Sequence, residues 1–453
     1  MYVYHNVNLP IQTYSDACRY LDDLQMHKIK LGLDAMRSVL RKLDSPELAC
    51  PAVHVAGTNG KGSVCSMLQS ILSFAGFKTG LYTSPHLSSI RERFRIDNAY
   101  IGEEDFTRLI ERIRLVLAGQ TITYFECTTA LAFSWFAEQK CDLVILETGM
   151  GGRLDATNVI TPLISVITTI SLDHEQYLGE SVEEVAFEKA GIIKQEIPVV
   201  SGVLESSARA VIKDICKQRN APLAIREIDF FMEPVEGADY IWKRASDSTK
   251  VMVTTNGKSG AWQIDNSSCA VAAVIGLRDA GYEIDDNAIT TGIAQASWPG
   301  RMEYLELPAG NPAETKSRHA PSSILRFLLD GAHNQAGVTY LIDTLRSQFT
   351  FNRLFVIWAS MADKNYRDML LEVAREADVL ILTHPDSERA ALPKDLASVL
   401  AGTCRNDMVI TDSVADALKS VMAQAAPDDL IVVAGSLYLI GEFRSLLIGE
   451  VVQ

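Results

Sequence analysis

At 453 residues the chain is long for one domain and comfortable for two, and 47% hydrophobic with 22% charged residues suits a globular protein with a large core. A formal net charge of -15 repels phosphate backbones and anionic lipid, which argues against nucleic-acid and membrane partners. An anionic substrate must therefore be held by local positive groups.

Met1 to Asp16 shows no basic flank followed by an apolar run, and no apolar stretch approaches the roughly 18–20 residues of a membrane span. The eight cysteines, Cys18, Cys65, Cys127 and Cys269 among them, form no C-x-x-C pair. Reduced thiols in a cytoplasmic protein without a zinc or redox site are expected. In chain order, Ala52 to Ala56 reads as a buried strand and Ser63 to Ala75 as the helix after it. Leu143 to Glu147 and Ile164 to Thr168 are short apolar strands, and the alternation of strands and helices predicts an α/β fold with a mostly parallel sheet. Ile228 to Val253 differs, with short strands broken by Gly, Asp and Ser that predict a small antiparallel excursion. Trp298-Pro299-Gly300-Arg301 marks a boundary, giving expected domains 1–298 and 299–453. Pro308 to Ser323 reads as a surface loop, and Leu325 to Leu329, Leu354 to Trp358, Val379 to Leu382, Met408 to Ile410 and Leu430 to Val433 as strands of a C-terminal Rossmann-like α/β domain.

The strand Val53 to Ala56 runs into Gly57-Thr58-Asn59-Gly60-Lys61-Gly62-Ser63 and then a helical pattern. Glycines let backbone N–H groups approach phosphates, the helix start carries partial positive charge, and Lys61 neutralises β/γ oxygens. The common phosphate-loop pattern has Ser or Thr directly after the Lys. Here Gly62 intervenes, and Val55 stands where the first Gly would be.

A nucleoside triphosphate on such a loop needs a divalent metal to shield its charge, and Mg²⁺ prefers hard oxygen ligands. Glu147 ends a predicted strand, Asp173-His174 follows another, and Ser84 closes a third short one, all where a parallel sheet faces its ligand crevice.

Gly57 to Ser63 resembles the nucleotide loop of the folylpolyglutamate synthase/dihydrofolate synthase family, a branch of the Mur ligase superfamily, and the inserted Gly62 points to the folate branch. The resemblance runs from about Leu21 to Arg444. It implies a phosphate-loop NTPase-like central domain in which Thr58, Asn59, Gly60, Lys61, Gly62, Ser63 and Asn266 bind ATP, with Arg301 and Asp330 reaching it from the second domain. It implies two Mg²⁺ sites drawing on Ser84, Glu147, His174 and Lys189, the last as its carbamate, and a monovalent cation. Without the family match Lys189 reads as a surface helix lysine paired with Glu184 or Glu188, Arg301 as a surface ion pair and Asp330 as a helix N-cap. A pterin site is implied at Ile29-Lys30-Leu31, Thr123-Tyr124-Phe125-Glu126 and Leu154-Asp155-Ala156, although Phe125 is equally readable as core. His333, Ser436 and Tyr438 would serve glutamate.

The implied reaction is transfer of the γ-phosphoryl group of ATP to the carboxylate of dihydropteroate or a reduced folate, followed by attack of the L-glutamate amine on the acyl phosphate. Lys61, His174, Lys189 and His333 are its expected catalytic residues, in a monomeric enzyme that closes its second domain over the intermediate. A muramoyl-peptide ligase, a plain phosphate-loop ATPase or kinase, and a non-enzymatic nucleotide-binding regulator are the competing readings.

Overall fold

The computed structural model describes residues 10–25, 32–173, 175–235, 239–255, 261–308, 324–402 and 407–449. Its chain divides into two compact units, the first ending at Ser297 and the second running from Trp298, with Leu87–Ser89 counted in the second.

The first unit is organised by an eight-stranded sheet of β1 (Ala52–Ala56), β2 (Thr79–Tyr82), β3 (Phe94–Ile96), β4 (Ala99–Tyr100), β5 (Leu143–Glu147), β6 (Ile164–Ile167), β7 (Val199–Ser201) and β8 (Leu223–Ile225), in the order β4-β3-β2-β5-β1-β6-β7-β8. The six strands from β2 to β8 in that order run parallel, and β3 and β4 add an antiparallel edge. Every residue of β1, β2, β5, β6 and β7 is buried, which is why these segments are near-continuous apolar runs without alternation. A separate antiparallel sheet, β9 (Phe230–Pro234), β10 (Asp239–Arg244) and β11 (Lys250–Thr254), is the excursion expected over Ile228 to Val253.

The order β5-β1-β6 at the centre matters most for function. The chain leaves β1 for β2, returns to β5 beside β1, and passes to β6 on the far side of β1, so the loop after β1 lies where the strand order reverses. Thr148 N donates to Val55 O at 2.9 Å and Thr168 N to Ala56 O at 2.9 Å, so all three strands end level. Gly57, Glu147 and Thr168 thereby leave from one edge.

The second unit holds β12 (Glu303–Pro308), β13 (Ile324–Leu329), β14 (Leu354–Trp358), β15 (Val379–Leu382), β16 (Asp407–Ile410) and β17 (Leu430–Ala434), ordered β12-β13-β17-β14-β15-β16. Five strands are parallel and β12 is an antiparallel edge on β13. Leu328, Val356, Leu380 and Val432 feed one core layer, and Phe327, Ile357, Ile381 and Ile431 the other, as the two-residue period of a sheet covered on both faces requires. Pro308, expected in a loop, is the last residue of β12, and residues 309–323 lie outside the described part.

Candidate functional site

The loop after β1 depends on two glycines. Gly57 has φ +153°, and a Cβ there would lie 1.9 Å from Thr168 Oγ1; Gly60 has φ +84°, and a Cβ there would lie 2.3 Å from Asn266 Oδ1. Residues following β6 brace the loop. Thr58 N donates to Thr169 O at 2.8 Å, Asn59 N to Thr169 Oγ1 at 3.0 Å, and Thr168 Oγ1 to Asn59 O at 2.6 Å. Thr58 Oγ1 donates to Ser171 O and accepts from Ser171 N, each at 3.0 Å. The helix Lys61–Phe74 then begins, and its ladder opens with Val64 N to Gly60 O at 2.9 Å. The amides of Lys61, Gly62 and Ser63 precede that ladder, which is the arrangement that receives an anion at a helix start.

Lys61 folds back on this loop, with Nζ donating to Gly57 O at 3.1 Å and Thr58 O at 3.3 Å, and lies 4.0 Å from Glu147 Oε1. Glu147 is buried at the end of β5, and its Oε2 accepts from Ser84 N at 3.1 Å. Lys189 is no surface lysine. It is 4% exposed, and its Nζ donates to Gly57 O at 3.0 Å. Glu184 is engaged in a capping box with Ser181, and Glu188 pairs with Arg153 at 2.8 Å. Burial, aided by the charge of Lys61 and opposed by Asp173 and Asp155, pushes the Lys189 ammonium down to about 7. An amine near half-neutral at physiological pH is nucleophilic, as carbamate formation requires. The structure thus gathers Lys61, Ser84, Glu147 and Lys189 around the loop, while His174 lies outside the described residues. Among the described residues no group of three or more His, Cys, Asp and Glu side chains is arranged to hold a metal. The oxygen donor present is Glu147, and a carbamate on Lys189 would add another.

Asn266, on the helix Ala261–Asp279, is buried beside Gly60, and its Nδ2 has no hydrogen-bond partner among the described residues. A buried amide left over next to a phosphate loop fits a ligand that supplies the acceptor.

Of the expected pterin residues, Ile29, Lys30 and Leu31 lie outside the described part. Thr123 and Glu126 form a capping box that starts the helix Tyr124–Glu138, so their side chains are consumed by the backbone. Phe125 is half-buried, with its ring 5.9 Å from that of Tyr82 and against Gly149, where a Cβ would lie 2.5 Å from Phe125 Cζ. Asp155 is buried, accepting from Gly149 N at 2.8 Å, Met150 N at 2.9 Å and Thr157 N at 3.0 Å, between Leu154 and Ala156. Sequence reading missed Arg93, which is buried with its guanidinium 5.2 Å from the Tyr124 ring centroid and its Nε donating to His86 Nδ1 at 2.9 Å. Nothing in Arg91-Glu92-Arg93-Phe94-Arg95 marks which arginine turns inward.

The second unit places its expected residues in a closed set of bonds. Asp330 is buried at the end of β13, accepting from Met302 N and Ala332 N at 2.9 Å each, and Arg301 Nη1 donates to Gly331 O at 3.2 Å. Burial raises the Asp330 carboxyl, opposed by Arg301. His333 Nδ1 lies 2.7 Å from Gly331 O, which puts its proton on Nδ1. Asn334, not Asp330, caps the helix Gln335–Gln348. Ser436 caps the helix Leu437–Ile448 by accepting from Tyr438 N at 3.2 Å, and Tyr438 is half-exposed.

A phosphate cradle on a parallel sheet, an acid at the neighbouring strand end and a buried lysine against the same loop define a nucleotide-using ligase domain of the Mur type. Family models agree, with the Mur ligase middle domain matching residues 55–222 and the Mur ligase glutamate ligase domain residues 315–437. The chain belongs to the dihydrofolate synthase/folylpolyglutamate synthase family. It is 33% identical over 445 residues to the Bacillus subtilis protein of that name, covering 96% of this chain and 99% of that one. The Escherichia coli relative is 31% identical over 428 residues, covering 94% of each chain. Among solved structures, E. coli FolC in complex with DHPP and ADP has a TM-score of 0.83 at 29% identity, covering 98% of both chains. The Thermotoga maritima folylpolyglutamate synthase has a TM-score of 0.80 at 32% identity, covering 97% of both.

Proposed function

We propose that this chain is an ATP-dependent ligase that adds L-glutamate to dihydropteroate, to the γ-carboxylate of reduced folylglutamates, or to both, releasing ADP and phosphate. The observation that carries the reading is the loop Gly57–Ser63 with Lys61 beside Glu147, in a chain alike over 96% of its length to a dihydrofolate synthase/folylpolyglutamate synthase. One neighbour was solved with ADP and DHPP, and another with Mn, AMPPNP and L-glutamate, which supports ATP and a divalent metal here.

In this reading Thr58 to Ser63 cradle the triphosphate, Lys61 turns from its own loop carbonyls to the transferring phosphoryl group, and Asn266 gives its free amide to the nucleotide. Ser84, Glu147, His174 and a carbamylated Lys189 would hold two Mg²⁺ ions. The metal supplies charge neutralisation for the phosphates. A bare ammonium would repel it, so the buried Lys189 takes part only once converted to an anionic oxygen donor. A monovalent cation accompanies the two Mg²⁺ ions in this reading. Tyr124, Phe125 and the Leu154–Ala156 stretch, together with Thr123, Glu126 and Ile29 to Leu31, form the pterin site. Arg301 and Asp330 contact ATP, and His333, Ser436 and Tyr438 orient glutamate for attack on the acyl phosphate. We read the enzyme as a cytoplasmic monomer, and the charge of -15 supports the reading that it has no nucleic-acid partner. Among the described residues no helix is long and apolar enough to cross a membrane.

The test measures phosphate release with Mg·ATP and glutamate, offering dihydropteroate and tetrahydrofolate separately. Turnover with either is expected; with neither, the reading falls. Turnover only with a UDP-linked peptide precursor would move the chain to the muramoyl-peptide reading, which Gly62 argues against.

A further inference from the structure

His54 sits within β1, three residues before Gly57, and is fully buried. Its Nε2 lies 2.8 Å from Thr157 Oγ1, and Thr157 Oγ1 lies 2.6 Å from Asp155 Oδ1. A hydroxyl has one hydrogen. Given to the carboxylate, it leaves the Thr157 oxygen to accept from His54, so the imidazole carries a proton on Nε2, as its neutral Nε2–H tautomer does. Burial and the charge of Lys194 push His54 down to about 3, in keeping with that form. Asp155 completes the chain, with Oδ2 taking the amides of Gly149 and Met150 and Oδ1 the amide and the hydroxyl of Thr157. Its acceptor positions are filled by the loop itself.

Among the described residues His54 Nδ1 has no hydrogen-bond partner. A buried polar atom left unpaired costs about 1–3 kcal/mol, which an apolar residue on this central strand would avoid. The histidine thus carries a local cost at Nδ1 while its Nε2 makes one specific bond. The turn it reaches packs on the Phe125 ring at Gly149, and the same segment packs at Gly152 against the carbonyls of Glu188 and Lys189.

Resting on the ligase reading above, we infer that His54 is a positioning residue for the pterin substrate, acting through the Thr157 hydroxyl to orient the Asp155 carboxylate that fixes the Gly149–Met150 turn against Phe125. The nucleotide cradle is braced separately, by the residues after β6. Loss of the relay should fall on the pterin side.

The experiment compares steady-state kinetics of wild type, His54→Leu, His54→Gln, Thr157→Val, Thr157→Ser and the Leu/Val double variant, each with a thermal melt. His54→Leu and Thr157→Val should raise KM for dihydropteroate about tenfold, leaving KM for ATP within about twofold. His54→Gln and Thr157→Ser, which keep a donor and a hydroxyl, should restore it. The double variant should be no worse than either single one. If His54→Leu does not fold, the Val/Ser pair at position 157 carries the same test. Equal rises in both KM values, or no change in KM for dihydropteroate, overturn the inference while wild type still ligates. A wild-type chain that ligates nothing overturns the functional reading and this one with it.

Discussion

The strand ends of the two units carry similar residues and use them differently. In the second unit the polar groups after β13 and β17 answer one another: Asp330 takes two backbone amides, His333 a carbonyl, and Asn334 and Ser436 each cap a helix. In the first unit, groups are left over. Asn266 Nδ2 has no partner among the described residues, Lys189 is buried against a backbone carbonyl with a second lysine near by, and the amides at the start of Lys61–Phe74 precede any ladder. Residue type at a strand end therefore does not separate a ligand contact from a cap. What separates them is whether the hydrogen bonding closes without a ligand.

If that contrast is functional, the first unit should lose activity at little cost in stability. Lys61→Ala should abolish ATP-dependent phosphate release, by about a thousandfold or more, with the circular-dichroism melt unchanged. Near-normal turnover would break the comparison outright. Lys189→Met should cost about a hundredfold. Wild type equilibrated with ¹³C-bicarbonate should show a carbamate carbon resonance that the variant lacks, and no such resonance in active enzyme would remove the carbamate.

Asn266→Leu should raise KM for ATP about tenfold and leave stability level or higher, because its Nδ2 makes no internal bond to lose. His54 and His86 extend the contrast to pH. Burial holds both near 3 in the folded chain, against about 6.5 unfolded. Their contribution to stability is complete above about 6.5 and falls as pH drops toward 3, by about 1.4 kcal/mol per unit for each. Urea titrations at pH 7.5 and 5.5 should show the loss in wild type and a smaller one in His54→Gln.

Much of this was legible beforehand. The buried parallel strands announce themselves as apolar runs, and the loop at Gly57 follows one directly. The edges were not. β3 and β4 are three and two residues long, joined through Asp97 at φ +50°, and β12 alternates Glu303-Tyr304-Leu305-Glu306, a half-exposed pattern given meaning only by distant β13. The site divides in the same way. Lys61 and Glu147 stand in local motifs, whereas His54 and Thr157 are 103 positions apart and meet only because β1 and the segment after β5 are neighbours. Lys189 follows acidic residues that suggest a surface helix, and its burial comes from packing under the loop.

The smallest effect tests the closed set. Ser436 accepts the amide of Tyr438 and so satisfies one of the free donors at the start of Leu437–Ile448. Removing a serine cap costs about 1 kcal/mol, so Ser436→Ala should lower stability by that amount in a urea titration. If the hydroxyl also faces glutamate, KM for glutamate should rise less than tenfold, with KM for ATP unmoved, because one neutral hydrogen bond contributes only about 1 kcal/mol. Ser436→Thr keeps the cap and should recover both. A stability unchanged by the alanine would mean the bond is not made in solution, and the set around Asp330 and Ser436 would then be open at one end.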